Sequence, residues 1–245
     1  MITERLIDAF ISAWSARNLR KQPGIRNRTD EWGIELLASY WTIAGNTEPL
    51  SADNEVSPFD FQSRVEAAAR FGFKGIGLIH ADLMAVRQRL GLNEMKLILD
   101  DNGIKHLELE ILGDWFADGE KKAKSDLIKN DLLEAAGQLG ARHIKVSGDH
   151  ENGDWPLDRL ISRFVDLCQD AADHGTRVAL EIMPWTNVRT VDTGLSIVDG
   201  ANVSNGGLLL DIWHFARGHI EYHKITEIPQ RYIVPKNTAI ESERA

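Results

Sequence analysis

Glu181 carries the clearest chemical signal, because it lies inside the apolar run VALEIMPW. A carboxylate in such a run is costly unless it is paired, hydrogen-bonded or bound to a metal. Asp211 repeats the feature in GLLLDIWH, and His214 follows three residues later. One Glu, one Asp and one imidazole suit Mn²⁺, Mg²⁺, Zn²⁺ or Co²⁺, since such a donor set selects weakly among them. The competing reading makes Glu181 an internal salt bridge and His214 a loop histidine. Both readings stay open on the residues alone.

Further groups surround that set. Glu108 and Glu110 share one face of a strand, because strand side chains alternate with period two. Glu110 is nearer the strand's C-terminal end, which suits contact with a substrate; a salt bridge to Lys145 on the next strand is the alternative. His80 ends GIGLIH, where it would bind substrate or a second metal, or act as a core histidine. His143 opens its strand and is expected at the opposite end. Five of the seven tryptophans (Trp41, Trp115, Trp155, Trp185 and Trp213) follow predicted strands. Aromatic faces there would stack on the C–H faces of a sugar or plug the core. No Ser-His-Asp set, phosphate loop or basic-aromatic interleaving is visible.

These residues need a scaffold that brings strand ends together. Apolar runs predict strands at 35–44, 75–80, 104–112, 143–146, 178–183 and 207–212, with RYIV at 231–234 starting a seventh. Helical periodicity falls between them, at 59–69, 83–90, 94–99, 121–139, 157–174 and 195–203. Leu127, Ile128, Leu132, Leu133 and Ala136 make the apolar stripe of the 121–139 helix. The alternation predicts right-handed βαβ units and a parallel sheet, in an α/β class fold. The absence of Gly-x-Gly-x-x-Gly after the first strand argues against an open dinucleotide-binding sheet. Polar residues at several strand ends favour a (β/α)8 barrel. Three segments follow: an N-terminal amphipathic helix and basic linker (1–34), the barrel-like domain (35–234) and a polar tail (235–245).

Composition narrows the function. The 245 residues carry a net charge of -9, with 43% hydrophobic and 27% charged residues. That supports one large domain with a core and argues against nonspecific binding to nucleic acid or anionic membranes. A lone cysteine, Cys168, excludes an internal disulfide framework. No apolar run nears the ~20 residues of a membrane span. The MITERLIDAF terminus lacks a signal-peptide pattern. A cytoplasmic protein acting on a small molecule is expected.

GIGLIHADL, LELEILGDWF, VALEIMPW and GLLLDIWHFARG, in that order, resemble the xylose isomerase-like TIM-barrel superfamily, in the branch of sugar phosphate isomerases/epimerases and AP endonuclease family 2. The resemblance implies a divalent metal at the barrel mouth, with Glu181 and Asp211 as its fifth- and sixth-strand ligands. It implies that His214 touches substrate or metal, and that His80 matches the second-strand histidine of the endonucleases. Trp41, Trp115, Trp185 and Trp213 would line the substrate. Glu181 would serve as ligand and as base for the proton beside a substrate carbonyl. PKNTAIESERA supplies no seventh-strand ligand, and the eighth strand with its glutamate is missing, so the chain resembles a truncated member. Glu110 is the substitute for that glutamate. The implied activity is a metal-dependent isomerase or epimerase of a sugar, sugar phosphate or polyol derivative, through an enediolate. Alternatives are a lyase or dehydratase on a related keto-polyol, and a degenerate barrel acting as an assembly subunit. A second copy of the chain would cover the open barrel edge.

Overall fold

A computed structural model of the chain describes residues 35–49 and 55–234. The N-terminal helix and linker expected over 1–34, and the tail expected over 235–245, lie outside them. Six parallel strands pair in chain order. They are β1 (Leu37–Ala38), β2 (Gly75–Ile79), β3 (His106–Leu112), β4 (His143–Val146), β5 (Arg177–Glu181) and β6 (Gly206–Leu209). Past β6, Ile233 makes one further parallel bridge to Leu208, where the RYIV segment was expected to add a strand. Helices fill the intervals: α1 (Tyr40–Ile43), α2 (Phe61–Arg70), α3 (His80–Leu90), α4 (Leu92–Asp101), α5 (Gly119–Leu139), α6 (Leu157–Asp173), α7 (Val191–Ala201) and α8 (Ile212–Arg217). This is the α/β TIM-barrel-like arrangement, with six strands among the described residues. No described helix is long and apolar enough to cross a membrane.

Register explains where the chemistry goes. One face of the sheet carries Ile76, Leu78, Leu107, Leu109, Ile144, Val146, Val178, Leu180 and Leu208, all buried in the core shared with the helices. The opposite face, toward the barrel interior, is polar. There Gly77 pairs in register with Glu108, Glu108 with His143, Lys145 with Ala179, and Glu181 with Leu209. Gly77 is needed in this layer. A Cβ there would lie 2.7 Å from the Tyr40 backbone nitrogen and 2.9 Å from Glu108 Oε1.

Three expectations need correction. The strand predicted from residue 35 to 44 ends after Ala38, and its Tyr-Trp-Thr-Ile run turns into α1. Tyr40 is fully buried there and packs near the buried Arg64–Asp82 ion pair (2.8 Å), so tertiary packing overrides a strand-like local composition. Leu127 is 68% exposed and leaves the apolar stripe of α5. The strand predicted to run to Ile212 stops at Leu209, because Asp211 caps α8 by accepting a hydrogen bond from the Trp213 amide at 2.7 Å.

Candidate metal and substrate site

Glu181 is the last residue of β5, and Asp211 and His214 belong to the turn that starts α8 just beyond β6. Ligand atoms of these three residues lie within 4.8 Å of one another. His214 Nδ1 faces Glu181 Oε1 at 3.4 Å, and its Nε2 faces Asp211 Oδ2 at 3.9 Å. The cap explains the geometry. The Trp213 amide holds Asp211 Oδ1, and one helical turn places His214 over the same side as its aspartate.

Electrostatics set the three apart. Glu181 is 3% exposed, and burial pushes its carboxyl up to about 7. Burial also holds the His214 imidazole below its ordinary range, which keeps a nitrogen lone pair available. His214 Nδ1 is buried without a hydrogen-bond partner, because its approach to Glu181 lacks hydrogen-bond geometry. A buried imidazole nitrogen with no hydrogen-bond partner, 3.4 Å from a buried carboxylate oxygen, fits a divalent ion between them. The residues present therefore suit the metal that the sequence implied.

The layer beneath holds a second group of charges. Lys145 Nζ lies 2.8 Å from Glu110 Oε2 and 3.5 Å from Glu108 Oε1. His143 Nε2 is 3.3 Å from Glu108 Oε2. All four side chains are buried. Burial opposes the charge on Lys145, yet Glu110, Glu108 and Glu181 hold its ammonium well above the usual range. Burial raises the Glu110 carboxyl, while burial of Glu108 is outweighed by His143 and Lys145, which lower it. The expected alternative for Glu110, a salt bridge to Lys145, is thus present. Lys145 engages Oε2, the Tyr40 backbone amide also favours the carboxylate, and Oε1 is buried without a hydrogen-bond partner.

The aromatic expectations divide. Trp185 and Trp213 are 37% and 57% exposed and meet edge to face at 5.8 Å. Their rings also flank His214, at 4.9 and 5.4 Å. Asn152 Nδ2 donates to the Trp185 carbonyl at 3.1 Å, and the Asp149 amide donates to Asn187 Oδ1 at 2.7 Å, so the loop after β4 braces the one after β5. Sequence reasoning missed these braces, for which Asn and Asp in loops are only a weak signal. Trp41 is half-buried on α1, with its ring edge-on to Tyr40.

Two further candidates are not brought together with Glu181, Asp211 and His214. Trp115 is 3% exposed, donates its indole N–H to the Ser147 carbonyl and packs on Phe116 and Phe164, so it is core and not a substrate platform. His80 opens α3 and pairs with Asp131 of α5 at 2.9 Å, beside Arg87. That partner belongs to the helix layer, so the structure gives the histidine the hydrogen-bonded setting that the alternative reading described. A groove of about 510 Å³, lined by Pro184, Arg189, Asp192, Arg217 and His219 among others, adjoins the site without including Glu181, Asp211 or His214.

A parallel barrel-like sheet with a group of acidic and imidazole side chains at its strand ends belongs to the TIM-barrel class. The model of the xylose isomerase-like TIM barrel family matches residues 65–236, and the chain belongs to that family. No curated protein matches the sequence. Among solved structures, a xylose isomerase-like TIM barrel/4-hydroxyphenylpyruvate dioxygenase fusion protein superposes with a TM-score of 0.67 at 17% identity, over 82% of this chain and 30% of that one. The IOLI protein with a bound zinc atom gives 0.67 at 18%, over 82% and 70%. D-psicose 3-epimerase with D-tagatose from Clostridium cellulolyticum H10 gives 0.66 at 16%, over 82% and 71%. The chain thus spans 30% of the fusion protein's length. Likeness at these identities establishes the shared fold.

Proposed function

We propose that this chain is a divalent-metal-dependent isomerase or epimerase acting on a sugar, sugar phosphate or polyol derivative. The observation that carries the reading is the convergence of Glu181, Asp211 and His214 within 4.8 Å beside two exposed tryptophans. The zinc of the IOLI protein and the ketose of the epimerase lie on the same fold, which supports it. Glu181, Asp211 and His214 would hold the ion. When bound, it supplies Lewis-acid polarisation of a carbonyl and a neighbouring hydroxyl. Glu181 takes the proton from the carbon beside the carbonyl, and Glu110 Oε1 returns one, which yields the isomer or epimer. Trp185 and Trp213 cover the apolar face of the sugar and exclude water. The reducing cytoplasm suits a chain whose one cysteine is buried.

The test uses Mn²⁺-loaded protein in D₂O with dihydroxyacetone, D-fructose and D-tagatose. Deuterium entering the carbon beside the carbonyl, in wild type but not in Asp211→Asn, is the expected result. No exchange by wild type into any of the three contradicts the reading. Trp213→Ala is expected to raise KM about tenfold with kcat little changed, which corresponds to losing one stacking face. Steady-state kinetics on the ketose that exchanges fastest checks this.

A further inference from the structure

Glu108 and Glu110 stand two residues apart on β3, and Lys145 reaches both from β4. The ammonium is thus clamped from below by Glu108 at 3.5 Å and holds Glu110 Oε2 at 2.8 Å. Lys145 is 7% exposed and Glu110 5%. Glu110 Oε1 is buried and carries no hydrogen bond. By register, Lys145 pairs with Ala179, and Glu181 stands one inward position further along the same strand. That is roughly 6.6 Å of strand. The free oxygen of Glu110 therefore belongs to the layer directly beneath the candidate ion ligands.

A carboxylate that exchanges protons with a substrate needs one oxygen free and a fixed orientation. A lysine provides both, because it is a compact point charge that engages one oxygen. We infer that Lys145 is a positioning residue, which fixes Glu110 through Oε2 and leaves Oε1 as the atom that exchanges a proton with the substrate. The inference rests on the isomerase reading above. Proton balance is simple. The substrate loses one C–H proton to Glu181 and gains one from Glu110, and both carboxyls return to their starting states by exchange with water. Glu108 and His143 complete the group around the ammonium from β3 and β4, and Glu181 acts on it from β5. Glu108 serves to hold Lys145 and has no part in the transfer.

Lys145→Arg separates positioning from mere charge balance. The guanidinium keeps the positive charge, but its planar fork engages both oxygens of a carboxylate and so occupies Oε1. The experiment measures deuterium entry into D-tagatose, D-fructose and dihydroxyacetone by Mn²⁺-loaded Lys145→Arg and Glu108→Gln, with thermal unfolding of each. The expected result is a folded Lys145→Arg whose kcat falls at least tenfold with KM within twofold, and a folded Glu108→Gln, which loosens the clamp on Lys145, whose kcat falls at least threefold with KM within twofold. Lys145→Arg exchanging at the wild-type rate overturns the inference. So does a folded Glu108→Gln that exchanges at the wild-type rate, since the clamp on Lys145 would then be idle; this second variant decides the matter if Lys145→Arg does not fold. Wild type that binds Mn²⁺ but exchanges nothing removes the isomerase reading and this inference with it, whereas an active wild type with an unaltered Lys145→Arg removes the inference alone.

Discussion

Glu181→Gln is expected to make the metal-free protein more stable, by about 3 kcal/mol at about pH 8, and to abolish its stabilisation by Mn²⁺. The gain follows from burial. The folded carboxyl titrates at about 7 against an ordinary value of 4.5. The native state therefore holds this proton more tightly than the unfolded chain. As pH rises from the unfolded value toward the folded one, wild-type stability falls, and beyond about 7 the loss is complete. Glutamine has the same shape and no charge to desolvate, so this loss disappears in the variant. Below the unfolded value the two proteins should differ little. Metal reverses the order, because it binds the ionised carboxylate and must displace the proton. Affinity for Mn²⁺ should fall by up to tenfold per pH unit below about 7. Denaturant unfolding at several pH values, with and without Mn²⁺, checks both statements; parallel curves for the two proteins would contradict them.

Glu110→Gln should lower kcat for ketose proton exchange by about 10²–10⁴, the usual contribution of a positioned acid–base group, with KM nearly unchanged. Glutamine preserves the bulk and a carbonyl oxygen toward Lys145 Nζ, now 2.8 Å from Oε2. It replaces the carboxyl whose Oε1, buried without a hydrogen-bond partner, exchanges the proton in the proposed reaction. The kcat and KM of Glu110→Gln and Glu108→Gln, measured side by side, decide between roles. If Glu110→Gln is folded and fully active, the glutamate serves Lys145 alone.

Much of this site was legible in the sequence. Glu181 in VALEIM and Asp211 in GLLLDI stand out because an apolar strand tolerates a carboxylate only with a partner. Their nearness follows from strand order, since β5 and β6 are neighbours. The period-two face of β3 put Glu108 and Glu110 together, and the structure shows that face turned to the interior with both on Lys145. What stayed hidden depends on distant partners or on competition between local structures. His80 looked like a strand-end ligand because nothing in GIGLIHADL announces Asp131, which lies on α5. Trp115 and Trp213 both follow strands, yet one is 3% and the other 57% exposed, a difference set by Phe116 and Phe164 packing on the first. GLLLDI reads as one strand, although Asp211 ends it by capping α8. That short helix is what turns Asp-x-x-His from a spacing into a shared face.

The account stands on Glu181, Asp211 and His214 holding one divalent ion. Equilibrium dialysis of the purified protein against Mn²⁺ at about pH 8, followed by elemental analysis, tests it most directly. One ion per chain in wild type, lost in both Glu181→Gln and Asp211→Asn, is the predicted result. A wild type that retains no ion, or variants that retain as much as wild type, would contradict it.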